Sequence, residues 1–296
     1  MDTRTGIDTP ILVTGGTGTL GRHVVTRLRV AGREVRVLSR ARPAGADEAS
    51  GIQFVAGDLA TGQGVDAAIA GSEIIVHLAG TAKGDDLKAR HLVEAASRAG
   101  IRHLVYISVV GDDRVPMAGA IDRAMFGYFG AKHAAERIIV ESGVPWTTLH
   151  ATQFFDLTLK TAEQMARMPV IPVPSGFRFQ PIDTGEVADR LVELALGEPA
   201  GLVDDIGGPR VYEMADLVRS YLTAIGRHRP IIGVPVPGKA AQAIRDGANL
   251  APDRAVGRRT WEDFLAAKVS CTRAGSPRSS RAPDPCPSGS GGRGRP

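Results

Sequence analysis

From Pro10 onward the apolar residues fall into short continuous runs separated by stretches with helical spacing. Residues 11–13 make the first run, and residues 20–30 repeat apolar positions at the 3.6-residue period until Gly32 stops them. The runs at 35–38, 52–55, 74–78 and 104–107 lack the alternation of a half-exposed strand, as expected of strands covered by helices on both faces. Between the last two, residues 85–99 place Leu87, His91, Leu92, Ala95 and Ala96 on one side of a helix that ends at Gly100. A longer helix is predicted over 128–142, closed by Gly143, and a sixth strand over 145–149. The repeated β-α-β order predicts an α/β fold built on a parallel sheet.

The rest is less regular. Residues 1–9 read as a flexible leader, and residues 168–183, with four prolines, read as an exposed or site-lining loop. Helices are predicted over 186–196, 214–225 and 261–269. Residues 269–296 hold five Pro, five Gly and six Ser and can bury almost nothing, so they are expected to be a disordered tail. The expected division is a domain over 10–150 and a smaller region over 151–268 lying above the sheet.

Charge narrows the partners. The 296 residues carry a net charge of +4, but the tail holds five Arg against one Asp, so the remainder is balanced. A nucleic-acid groove needs basic residues clustered on a folded face, and no such cluster is expected. Both cysteines, Cys271 and Cys286, fall in the expected tail, leaving the folded part without a disulfide or a thiolate nucleophile. No apolar run approaches the roughly 18 residues of a membrane span, and residues 1–10 lack the features of a secretion signal. The expectation is a soluble cytoplasmic protein that binds a small molecule, not nucleic acid or a membrane; its oligomeric state is open.

Candidate chemistry begins after the first strand, where Thr14-Gly15-Gly16-Thr17-Gly18-Thr19-Leu20-Gly21 leads into the first helix. With 36 glycines in the chain, the Gly15-x-x-Gly18-x-x-Gly21 spacing arises by chance about half a time, so position matters more than spacing. Strand, glycines and amphipathic helix in that order bring free backbone N–H groups and a positive helix end to a dinucleotide diphosphate. Gly15 would permit the tight turn, Gly18 would let backbone approach phosphate, and Gly21 would let helix and strand pack closely. The second strand ends in Leu38-Ser39-Arg40, where an NAD site usually offers Asp or Glu. A hydroxyl and a guanidinium suit a 2′-phosphate, with Arg42 or Arg22 assisting, so NADP (NADPH) is expected over NAD; the alternative is that Arg40 is a solvated loop charge.

The chain at this point resembles the short-chain dehydrogenase/reductase superfamily in its atypical, NmrA-like NAD(P)H-binding branch, over about residues 10–268. The resemblance rests on residues 13–21, Gly57-Asp58-Leu59, His77-Leu78-Ala79-Gly80, and Tyr128 with Lys132. It implies a Rossmann-type doubly wound sheet with a C-terminal substrate-covering region, and Thr17, Thr19 and Leu20 join the glycines as cofactor-binding residues. It further implies that Asp58 and Leu59 border the adenine and that Ala79 and Gly80 let the cofactor lie close to the sheet. Read alone, Asp58 is equally a turn or cap residue.

Tyr128-x-x-x-Lys132 looks like the superfamily's catalytic pair. With four Tyr in the chain, chance yields this spacing about 0.08 times. On a helix the two residues share a face. A phenol ordinarily titrates near pH ~10 and needs a neighbouring cation to exchange protons at neutral pH, a field Lys132 could supply. The resemblance adds a hydrogen bond from Lys132 to the nicotinamide ribose, and casts Ser108 as holding the substrate oxygen while Tyr128 acts as general acid or base. Ser108 reads equally as a strand-end residue facing elsewhere, Tyr128 as an aromatic under a loop, and Lys132 as a solvated charge. Gly127 and Gly130 would each cost about 1 kcal/mol inside a helix, which places Tyr128 in a first turn.

Where relatives often show an Arg after the sixth strand, this chain has His150, which also reads as a structural histidine. Gln153, Phe154, Phe155 and residues 177–180 are candidate pocket walls. The seven histidines show no metal-ligand spacing, so no metal is expected, and neither a Gly-x-Ser-x-Gly elbow nor a P-loop occurs. The expected function is an NADP(H)-dependent oxidoreductase acting on a small carbonyl or activated double bond. The alternatives are a non-catalytic NAD(P)H-holding redox sensor and a nucleotide-sugar epimerase or dehydratase.

Overall fold

The computed structural model describes residues 9–41, 51–81 and 84–274. The leader to residue 8, Arg42 and the tail beyond Ala274 lie outside them. Seven parallel strands form the central sheet: β1 (Ile11–Thr14), β2 (Val35–Ser39), β3 (Ile52–Ala56), β4 (Ile74–His77), β5 (His103–Val109), β6 (Trp146–Ala151) and β9 (Gly201–Leu202). Their order is β3-β2-β1-β4-β5-β6-β9. The chain winds outward from β1 to one side and from β4 to the other, which opens a crevice between these two strands, where ligands bind in such sheets.

Both sheet faces are covered, as the unbroken apolar runs require. On one side Ile11 and Val13 pack with Val24 and Leu28 of α1 (Thr19–Val30) and with Val187 and Leu191 of α6 (Thr184–Leu196). On the other, Leu12, Ile75 and Leu104 pack with Leu92 of α3 (Asp85–Ala99) and Ile139 of α4 (Ala120–Glu141), beside the short α2 (Val65–Ile69). The alternation along β1 thus feeds two cores from one strand.

Several expected boundaries are corrected. Helix α4 begins eight residues before Tyr128, so Tyr128 sits in mid-helix and not in a first turn. Its start is fixed by Asp122, whose carboxylate accepts the Gly119 N–H at 3.1 Å and the Ala240 N–H at 3.2 Å, so tertiary bonds override the two glycines. The expected loop over 168–183 contains β7 (Ile171–Pro174), parallel to β11 (Ile231–Val234), and β8 (Arg178–Phe179), antiparallel to β10 (Tyr212–Glu213). Ile171 donates to Pro230 and Ser175, just past the end of β7, donates to Val234, so the intervening Pro172 and Pro174 need no N–H on the paired edge.

The remaining helices, α5 (Phe155–Met165), α7 (Met214–Ala224), α8 (Lys239–Arg245) and α9 (Trp261–Ala274), sit around Phe155, Trp261 and Phe264 or against Phe126 and Phe177. Helix α9 continues past residue 269, where the tail was expected to begin. Strand β9 and helix α6, drawn from the expected covering region, return to the sheet. Among the described residues no helix is long and apolar enough to cross a membrane.

Candidate active site

The glycine turn has the geometry its residues demand. Gly15 has φ +72°, and a Cβ there would lie 2.8 Å from the Ala79 backbone nitrogen. A Cβ at Gly21 would lie 2.1 Å from the Gly15 carbonyl, so this glycine serves helix-strand packing. Gly18 is exposed and a Cβ would meet only the Gly15 carbonyl, at 3.2 Å, which leaves its outer side open to a ligand. Helix α1 starts with no side-chain cap and no acidic first-turn residue, so its unpaired amides and positive end suit an anion.

A cleft of about 810 Å³ lies against this turn and is lined by Gly15, Thr17, Gly18, Ser39, Arg40, Asp58, Leu59, Ala79 and Gly80, all expected from the sequence. Thr19 and Leu20 open α1; Leu20 is buried, so its side chain belongs to the core while its amide belongs to the helix end. Arg40 is exposed at the rim, and the Ser39 hydroxyl donates to the Ala41 carbonyl at 2.7 Å. Asp58 combines both of its readings, lining the cleft while its carboxylate accepts the Ala60 N–H at 2.9 Å within a turn. These walls and open amides fit a dinucleotide.

Sequence reasoning missed Thr81, Asp85 and Lys88. Asp85 is buried; it accepts from the Thr81 N–H at 2.8 Å, and Lys88 reaches it at 3.1 Å. Thr81-x-x-x-Asp85-x-x-Lys88 spans a helix start and carried a signal only in that placement.

On α4, Tyr128 and Lys132 share one face. Lys132 is buried, its Nζ donating to the Ile107 carbonyl at 3.3 Å and lying 3.7 Å from Asp85. A Cβ on Gly80 would lie 2.7 Å from this Nζ, so the lysine reaches the cleft floor. Burial pulls Lys132 below the ordinary lysine value, although Asp85 opposes this. The Nζ is 6.0 Å from the Tyr128 ring centre and 5.0 Å from that of buried Tyr106. The Tyr128 side chain is 39% exposed, yet the packing around its hydroxyl, with repulsion from Asp85 and Asp112, pushes it up to about 12. The expected lowering by Lys132 is not realised in this arrangement, because the ammonium is committed to Asp85. Beneath them, Thr14 and His77 share a 2.7 Å hydrogen bond, and burial and Lys132 lower His77 to about 3, so it is neutral.

Ser108 faces a second chamber, of about 210 Å³, together with Tyr128. Phe126, Phe129, Phe154, Phe177 and Phe179 line it, and among the described residues no charged side chain does. Gln153 and Phe154 are walls as expected, whereas Phe155, Arg178 and Gln180 are not. Phe155 packs in the core, its ring centre 5.1 Å from that of Phe264, Gln180 is buried and bonds Gly208 and Ala251, and Arg178 turns outward to the Arg245 carbonyl. The alternation of β8 sends its neighbours to opposite sides.

Behind Ser108 lies a buried charged cluster that sequence spacing did not reveal. The Ser108 hydroxyl donates to Asp112 at 2.7 Å, and His150 contacts Glu136 at 2.9 Å and Asp205 at 3.2 Å. Asp112, Glu136 and His150 present oxygen and nitrogen atoms within 4.8 Å of one another, a spacing that a metal ion could span. Both His150 nitrogens are hydrogen-bonded, however: burial disfavours its charge, but Asp205 and Glu136 outweigh this and raise it to about 10, leaving no free lone pair.

The chain belongs to the NAD(P)H-binding family, which matches residues 15–197. It is 28% identical over 244 residues to a ceramide reductase of Caulobacter vibrioides, covering 77% of this chain and 74% of that protein. It spans only 50%, 58% and 24% of three further curated relatives. Among solved structures, an NADPH-dependent quinone oxidoreductase from Escherichia coli, complexed with NADPH, superposes with a TM-score of 0.73 at 16% identity, over 87% of this chain and 99% of that one. A nucleoside-diphosphate-sugar epimerase from Staphylococcus aureus does so at 0.68 and 18%, over 86% and 99%. At these identities the two structures show the shared Rossmann-like fold, and the family match shows an NAD(P)H-binding chain.

Proposed function

We propose that this protein is an NADP(H)-dependent oxidoreductase that reduces a carbonyl or activated double bond in a small, flat, apolar molecule. The observation that carries the reading is the phenylalanine-lined chamber bearing Ser108 and Tyr128, with Lys132, on the same face of α4 as Tyr128, reaching the floor of the glycine cleft. The names of the ceramide reductase and the quinone oxidoreductase agree with it.

Gly15, Thr17, Gly18, Thr19, Leu20 and Gly21 would hold the diphosphate through the turn and the α1 amides. Ser39 and Arg40 would take the 2′-phosphate, Asp58 and Leu59 the adenine side, and Ala79 and Gly80 the approach to the sheet. When bound, the nicotinamide supplies the hydride. A phenol held at about 12 is fully protonated at neutral pH, so Tyr128 is a proton donor to the substrate oxygen. Lys132, at the cleft floor, would hold the nicotinamide ribose, and Ser108 would hold the oxygen in place.

The same raised phenol also favours the second reading, a protein that holds NAD(P)H and signals without turnover. Nucleotide-sugar chemistry is disfavoured, because the chamber offers no charged side chain among the described residues to a diphosphate sugar. The test is Tyr128→Phe, assayed with NADPH and 9,10-phenanthrenequinone as probe. The expected result is a loss of about 100-fold or more in kcat with unchanged coenzyme affinity. Unchanged turnover refutes the assignment, and a wild type that binds NADPH but reduces no quinone, aldehyde or enone favours the second reading.

A further inference from the structure

The chamber and the solvent on the far side of β6 are connected by polar side chains alone. Ser108, which lines the chamber, donates to Asp112 Oδ2 at 2.7 Å. Asp112 stands against Glu136 of α4, and its Oδ2 is 3.9 Å from His150 Nε2. His150 Nε2 bonds Glu136 at 2.9 Å, and its Nδ1 reaches Asp205 at 3.2 Å. Asp205 is 27% exposed, contacts Arg114 at 3.4 Å, and opens onto clefts of about 650 and 350 Å³. Ser108 and His150 are register partners in β5 and β6, so the sheet itself holds the middle of the path together.

We propose that Ser108, Asp112, Glu136, His150 and Asp205 form a proton path from the substrate chamber to solvent, with Asp112 as the positioning residue that sets the direction of the Ser108 hydrogen. This rests on the oxidoreductase reading. A serine has one hydrogen to give. When Asp112 is ionised it takes that hydrogen, and Ser108 cannot donate to a substrate oxygen. When Asp112 is protonated it donates to its neighbours, and the Ser108 hydrogen is released toward the chamber. The balance closes without a further reactant: the proton that Tyr128 gives to the reduced oxygen is replaced through Ser108 from Asp112. Asp112 in turn is recharged through Glu136 and His150 from water at Asp205.

The groups facing Asp112 decide its titration. Ser108 comes from β5, Glu136 from α4 and His150 from β6, with Asp205 beyond His150 in the segment after β9, while the charge of Asp112 is felt in turn by Tyr128 and Lys132 of α4. Burial first, then Glu136, raises Asp112 to about 7 against the pull of His150 and Ser108. Glu136, despite its burial, is held below the ordinary carboxylate range by its bonds to His150 and Asp112. The path therefore holds one exchangeable proton near neutrality.

The test compares the wild type, Asp112→Asn and Asp205→Asn, with NADPH and 9,10-phenanthrenequinone, from pH 5.5 to 9. In the wild type, kcat/KM is expected to fall as pH rises through about 7. In Asp112→Asn that limb vanishes while NADPH affinity stays within about twofold. Asp205→Asn, altered only at the exposed end, is expected to lower kcat about tenfold, with rescue by added imidazole buffer. Infrared titration of the wild type should show a carboxylic acid deprotonating near pH 7 that is missing from Asp112→Asn. A limb that persists in Asp112→Asn, or no such carboxyl in the wild type, overturns the path alone. A wild type that binds NADPH without turning over the quinone overturns the path together with the reading beneath it.

Discussion

Lys132 and Asp85 face each other at 3.7 Å, both buried, at the boundary between the glycine cleft and the Tyr128 face of α4. Asp85 therefore decides whether the lysine keeps its charge. Without a carboxylate an ammonium this enclosed is driven to deprotonate, because burial is already the largest influence on it.

Asp85→Asn should destabilise the protein by about 3–5 kcal/mol at pH 7, the usual cost of leaving one member of a buried pair. The pH dependence gives the sign. Lys132 titrates below the ordinary lysine value in the folded state, so the unfolded chain binds more protons and stability rises with pH between the two values. Removing Asp85 widens that interval downward, so urea-unfolding free energies of the variant should climb more steeply than the wild type's from pH 7 to 9.5. Parallel curves would sink the proposed coupling.

Arg40→Glu replaces the exposed rim cation with the type of group that an NAD site presents. NADPH affinity is expected to fall at least tenfold, about 1.4 kcal/mol, while NADH affinity changes by less than about threefold. Fluorescence titration with both coenzymes checks this, and equal losses would remove the case for a 2′-phosphate contact.

Gly18→Ala and Gly21→Ala should part company. A methyl at Gly21 would sit 2.1 Å from a backbone oxygen, whereas one at Gly18 meets nothing closer than 3.2 Å. Gly21→Ala is expected to cost about 1–3 kcal/mol of stability, and Gly18→Ala under about 0.5 kcal/mol, yet with weakened coenzyme binding. Thermal melts beside binding titrations separate the two roles; an unstable Gly18→Ala would mean that this glycine serves packing as well.

Much of this was legible in the order of residues. Helix α3 matches its expected span, because an unbroken 3.6-residue period ends at Gly100, which has φ +67°. Strands β1, β4, β5 and β6 read cleanly because each is buried on both faces. Strand β7 was hidden by prolines that fall on its unpaired positions, and the start of α4 by glycines that Asp122 and α8 compensate. Helix α5 was missed because Phe154 and Phe155 read as pocket wall, though Phe155 is core. In the site, spacing put Tyr128 and Lys132 on one face but said nothing of Asp85, which claims the lysine. The cluster behind Ser108 was invisible because Asp112, Glu136, His150 and Asp205 come from four separate parts of the chain and meet only when β5 and β6 pair.

The central claim, that the open amides at Gly18 and the start of α1 hold a nicotinamide dinucleotide, is tested most directly by calorimetric titration of NADPH into the wild type and into Gly18→Asp. Saturable heat with one site per chain is expected in the wild type and is lost in the variant, whose carboxylate would repel the diphosphate. Absence of heat from both NADPH and NADH in folded wild-type protein, or undiminished binding by Gly18→Asp, would contradict it.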